Sequence, residues 1–95
     1  MTEIKISVGD IVLSTKGRDK DQYFLVVDKQ DKIVYLADGK YRKVTALKKK
    51  NVKHLKSVKI AVFTDIANQI KNGKSVGNQR LNRLIKSELQ NKQED

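Results

Sequence analysis

The chain has 95 residues, 21 Lys+Arg against 11 Asp+Glu and a formal net charge of +10, which bounds it to one small, strongly basic domain. It has no cysteine, so a disulfide framework and a thiolate metal site are excluded, and no apolar run approaches the roughly 18 residues of a membrane span. A charge excess of this size repels itself in the compact state, and it points to a polyanionic partner.

The opening residues "MTEIKISVGD" lack the architecture of a secretory leader, so a cytoplasmic protein is expected. Val8–Ser14 reads as a first strand. The charged corner "KGRDKDQ" at 16–22 comes next, with Gly17 free to take a positive φ. Tyr23–Val27 ("YFLVV") is a second strand, apolar on both alternating faces. A sheet with one wet face does not look like that, so its outer face is expected to be covered, the C-terminal segment being the candidate. A short charged hairpin loop, "DKQDK" at 28–32, leads to a third strand at Ile33–Leu36. Asp38-Gly39 favours a type I′ turn into a weaker fourth strand, Lys43–Leu47. Short strands at this spacing predict an antiparallel meander curled into a small barrel.

Residues 40–59 carry nine basic side chains (Lys40, Arg42, Lys43, Lys48, Lys49, Lys50, Lys53, Lys56 and Lys59) and no acidic one. Most solvated faces mix both signs. A one-sign stretch of this length matches the electrostatic footprint of a nucleic-acid binder, with a merely solvated face as the bland alternative.

From Thr64 the apolar period lengthens to that of a helix. Thr64 or Asp65 can cap a short helix carrying Ile66 and Ile70, with Asn72-Gly73 as its stop. Asn78 can cap a second helix carrying Leu81, Leu84, Ile85 and Leu89, and "NKQED" at the end is expected to fray. These apolar residues are expected to pack on the barrel or on each other.

Catalytic chemistry has little to stand on. His54 is the one histidine, it lies among lysines, and no cysteine or nearby carboxylate accompanies it. Its expected place is the surface of the basic segment, with contact to a base or phosphate as a further role. No phosphate-cradling glycine motif occurs. The chain is therefore expected to be no enzyme and to need neither cofactor nor metal. Tyr23, Phe24 and Tyr35 fall in strand patterns and are expected in the core. Tyr41, beside Arg42 and Lys43, is the plausible exposed stacker. One stacker is too few for a single-strand platform, so phosphate and shape recognition of folded RNA fits better.

The stretch "VGDIVLSTKGRDKDQYFLVVDKQDKIVYLADGKYRKV" resembles the KOW motif, with Gly17 where the motif glycine stands. "KGRDKDQYFLVV" is similar to a family of large-subunit ribosomal proteins of archaea and eukaryotes, and more so to small bacterial KOW-domain proteins. "LADGKYRKV…KKKNVKHL" resembles the segment after the motif in the bacterial proteins. The likeness spans about residues 8–56. It implies an SH3-like barrel without catalysis that binds RNA, commonly ribosomal RNA. Carried onto this chain, Lys16, Gly17, Arg18 and Lys20 would form the motif loop, and Arg42, Lys43, Lys48, Lys49, Lys50, Lys53 and His54 the basic segment. Tyr41 and Lys56 join the candidate set from the residue reading. Asp19 and Asp21 depart from a phosphate-binding loop and are expected to weaken its positive field.

The expected fold is thus mainly β with C-terminal helices: an SH3-like (KOW) antiparallel barrel over 1–62 and a helical extension over 63–95. The expected function is RNA binding, with large-subunit ribosomal RNA as the partner, in the cytoplasm on the ribosome. Ribosomal proteins or translation factors are further partners. The alternative is a protein-interaction adaptor of the translation or transcription machinery, using the barrel and the helices.

Overall fold

A computed structural model describes residues 5–90; the fraying expected of "NKQED" lies outside the described residues, as does the start of the N-terminal segment. Five strands, β1 (Ile11–Ser14), β2 (Tyr23–Gln30), β3 (Ile33–Ala37), β4 (Lys48–Asn51) and β5 (Leu55–Lys59), precede two helices, α1 (Thr64–Lys71) and α2 (Asn78–Gln90). The strands form one antiparallel sheet in the order β4-β3-β2-β1-β5. The two outermost strands, β4 and β5, are joined by nothing longer than the three-residue 3-10 turn Val52–His54.

The double apolarity of "YFLVV" has a direct explanation. Phe24 and Val26 point to one side, where they pack with Ile6, Val12, Val34, Leu36, Val52 and Leu55. Leu25 and Val27 point to the other, where Ile66, Ala67 and Ile70 of α1 and Leu81 and Ile85 of α2 cover them. All four β2 residues have no exposed surface, and burying each contributes about 1.5–3 kcal/mol. The C-terminal helices thus provide the cover expected of them. Two bulges bend the sheet. Val27 is the extra residue between the pairs Val26↔Leu36 and Asp28↔Tyr35, and Val58 the extra residue between Ile11↔Lys59 and Val12↔Ser57.

Several local expectations are corrected. The first strand starts at Ile11 rather than Val8. The 28–32 hairpin tightens to a two-residue turn at Asp31-Lys32, with Asp31 at φ 59°. The fourth strand is not Lys43–Leu47 but Lys48–Asn51, which pairs with β3 from Leu36↔Lys48 to Ile33↔Asn51. The reason lies at Asp38. Its carboxylate Oδ1 accepts the N–H groups of Lys40, Tyr41 and Arg42 at 2.8–2.9 Å, and the Arg42 carbonyl accepts those of Asp38 and Gly39. This side-chain-centred loop replaces the expected type I′ turn. Val44 and Leu47 then pack against the helix-covered cluster instead of entering the sheet.

The expected helix caps are corrected too. Phe63 occupies the cap position of α1 and makes no side-chain cap bond, while the Thr64 hydroxyl donates to the Ala61 carbonyl. Asn78 does open α2, but its side-chain oxygen accepts the Val44 N–H at 2.8 Å, tying the 38–47 loop to the helix. The Asn72-Gly73 stop of α1 is as expected, with the Gly73 N–H on the Ile70 carbonyl. Among the described residues no helix is long and apolar enough to cross a membrane.

Candidate nucleic-acid interface

The β1–β2 loop is built around Asp19. Gly17 turns the chain at φ 91°. The Ser14 hydroxyl, fully buried at the end of β1, donates to Asp19 Oδ1 at 2.7 Å and approaches the Lys16 carbonyl at 3.1 Å. From β4, Lys50 Nζ donates to Asp19 Oδ1 and to the Lys16 carbonyl, both at 2.6 Å. Lys48 Nζ lies 3.5 Å from Asp19 Oδ2, an oxygen shut off from solvent that makes no hydrogen bond. Burial by itself would raise the Asp19 carboxyl. The hydrogen bonds from Lys50 and Ser14 and the charges of Lys50 and Lys48 outweigh it, and the group sits below the usual aspartate range.

Asp19 is therefore more than a weak spot in a positive loop. It is the internal anion that holds β4 to the loop. Lys50 keeps only 10% of its side chain exposed and Lys48 only 28%, so these two candidates are largely spoken for. Lys49, between them, is exposed and projects from the opposite side of β4, near Tyr35 and Gln30.

The remaining candidates divide by position. Arg18, Asp19, Gln22, Phe24, Tyr41, Arg42 and Lys48 line one open cleft of about 260 Å³. The chain thus brings the tip of the β1–β2 loop against the loop after β3, two segments the sequence separates by more than twenty residues. Arg18 and Arg42 are exposed and unpaired among the described residues. Tyr41 is 59% exposed, with the Lys40 ammonium 5.1 Å from its ring centroid, so one stacking partner is already in place.

On the other flank of Asp19, the Thr15 N–H bonds the His54 carbonyl at 2.9 Å, which brings Lys16, Lys53 and His54 together. His54 is half-buried rather than a free surface residue, and its Nδ1 is shut off from solvent with no hydrogen-bond partner among the described residues. Desolvation first, then the charges of Lys16, Lys53 and Lys50, hold its pKa below the ordinary histidine value. The ring is neutral at neutral pH and adds no charge of its own. Lys20, Lys43, Lys53 and Lys56 are exposed; Lys20 donates its N–H to the Gly17 carbonyl, and Lys56 lies on β5 opposite Leu13. Phe24 lies in the core as expected, Tyr35 is half-buried, and Tyr23 is 37% exposed and so belongs to the surface.

Among the described residues no group of three or more His, Cys, Asp or Glu could hold a metal ion. The structural duties of Asp19 and Asp38 escape a reading by composition. Their signal is an acid within two positions of a glycine in a basic loop. No known family model matches the chain, and no curated protein is similar enough to count as a relative.

Proposed function

We propose that this protein is a non-catalytic RNA-binding module of the KOW type, docking on the phosphates of structured RNA, with large-subunit ribosomal RNA as its target in the cytoplasm. The observation that carries the reading is the convergence of Arg18, Tyr41 and Arg42 on one cleft, with Lys16 and Lys53 on the other flank of the Asp19 node. An SH3-like barrel is the matching fold reading. It is supported by the sheet order, by the 3-10 turn linking its two outer strands, and by Val52 and Leu55 packing into the cluster that β1, β2 and β3 share. Phosphate contacts supply affinity and position, and the shape of the folded RNA supplies selectivity.

The test is sedimentation of the tagged protein in a cell lysate through density gradients at low and high salt. The expected result is co-migration with the large ribosomal subunit that salt or RNase reduces. Migration at the top of the gradient at both salts would overturn stable ribosome association.

One observation favours a second reading, a protein-interaction adaptor. Val58, Ile60 and Val62 are exposed at and beyond the end of the outer strand β5, Ile60 by 78%. Val58→Ser with Ile60→Ser would abolish association on this reading and leave it intact on the first.

A further inference from the structure

The basic stretch in the middle of the chain is not the whole cationic surface. On α2 the buried residues Leu81 and Ile85 fix which face looks inward. At about 100° per residue, Gln79, Arg83 and Lys86 turn away from that face and Asn82 lies on its flank. There they line an open groove of about 370 Å³ whose other wall is Gly39 and Lys40. The groove walls contain three cations and no carboxylate. Among the described residues no acidic side chain pairs with Lys40, Arg83 or Lys86. The nearby Asp38 carboxylate is buried and turned onto three backbone N–H groups.

The position of this groove is fixed. The Asn82 side-chain amide donates to the Asp38 carbonyl at 3.1 Å, and the Asn78 side chain holds the Val44 N–H. These bonds lock α2 against the 38–44 loop, so the walls are held together before any ligand arrives. The same loop gives Lys40 to the α2 groove and Tyr41 and Arg42 to the cleft beside Arg18. Lys40 reaches over the Tyr41 ring, so the two clefts meet at that pair.

We propose that the groove between α2 and the Gly39–Lys40 segment is a second phosphate track, which takes the backbone of the same RNA as it leaves the Arg18–Arg42 cleft. This rests on the RNA-binding reading above. Two adjoining cationic clefts on one loop suit two backbone segments of a folded RNA better than one point contact, and they add counterions released on binding. The carboxamides of Gln79 and Asn82 give the groove hydrogen-bonding groups in addition to charge.

The experiment measures affinity for purified large-subunit ribosomal RNA across a salt series. Arg83→Gln with Lys86→Gln removes two groove charges; Lys74→Gln with Arg80→Gln removes two charges outside the groove, both exposed. The groove pair is expected to lower the slope of log K against log salt by about 1.4–1.8, at roughly 0.7–0.9 per phosphate, while the control pair leaves it near the wild-type value. Equal slopes for the two pairs would overturn the second track while the RNA-binding reading stands. Wild-type protein that fails to bind the RNA at low salt would overturn both.

Discussion

The Lys50 ammonium and the Asp19 carboxylate meet at 2.6 Å across the gap between β4 and the β1–β2 loop, each with about a tenth of its side chain exposed. Asp19→Asn keeps the shape and a hydrogen-bonding oxygen but removes the charge that answers Lys50 and Lys48. The variant is expected to lose about 1–2 kcal/mol, less than a fully buried pair, read as a lower urea midpoint with unchanged m. The pH dependence comes from the depressed carboxyl. The stabilisation is complete above the ordinary aspartate value of 3.8 and disappears as pH falls through the lower folded-state value. Wild type should therefore lose stability in that acid window, and Asp19→Asn should lose less.

Among the candidate cations, charge and function are expected to separate. Arg18→Gln and Arg42→Gln, both exposed, should each lower the salt slope of RNA binding by about 0.7–0.9 and leave the urea midpoint unchanged. Lys50→Gln should do the reverse, shifting the midpoint and hardly touching the slope. If four to eight phosphates are met in all, the wild-type slope lies between about −3 and −7. Equal effects from all three variants would show that only overall charge matters.

His54 is expected to report on both folding and binding. Its folded-state pKa lies below the ordinary 6.5, so the unfolded chain takes up a proton first. Stability is then expected to fall as pH drops from about 6.5 to the folded-state value and to level off below it. His54→Gln should flatten that segment. RNA phosphates near Lys16, Lys53 and Lys50 would offset the charges that depress the ring. Its pKa should then rise on binding, with proton uptake, and affinity should increase as pH falls through the interval between the two values. NMR titration of the imidazole, free and bound, checks this.

Gly39 sits at φ 80°, and a side chain there would run into the backbone carbonyl of Asn78. Gly39→Ala should cost about 2–4 kcal/mol, combining left-handed strain with overpacking. Because the contact lies at the seam between the 38–44 loop and α2, hydrogen exchange should quicken at Val44 and in the first turn of α2. Unchanged exchange there would refute the locked seam.

What the residues disclose on their own tracks how local the cause is. The two-faced apolarity of "YFLVV" and the helical spacing of Ile66, Ile70, Leu81 and Ile85 are written in neighbouring positions, and they lead to the right elements and to a covered sheet. The fourth strand is misplaced by composition because its cause is distant. "KVTAL" has the better strand composition, yet Asn78 holds Val44 and the Asp38 carboxylate curls the residues before it, so the ladder starts at the lysines. Likewise, composition marks 40–59 as basic but cannot distinguish Lys50, bound to Asp19, from Lys49, exposed on the other side of the same strand. The α2 groove lies outside that stretch altogether, because Arg83 and Lys86 acquire Lys40 as a neighbour only through the fold.

The strand order also dictates a sequence of events in time. β2 and β3 are joined by a two-residue turn, whereas the β1–β5 pairing brings residue 11 beside residue 59. Closing so long a loop costs entropy that few contacts return until the intervening strands stand. The β2–β3–β4 meander should be the nucleus, and β5 should dock late. Val34→Ala is then expected mainly to slow folding and Leu55→Ala mainly to speed unfolding, in stopped-flow denaturant-jump kinetics. Arg18 belongs to the loop that leads into that meander and Arg42 to a loop within it, while Lys56 rides on the strand that arrives last. A nascent chain emerging near RNA would expose the first set of cations before the second.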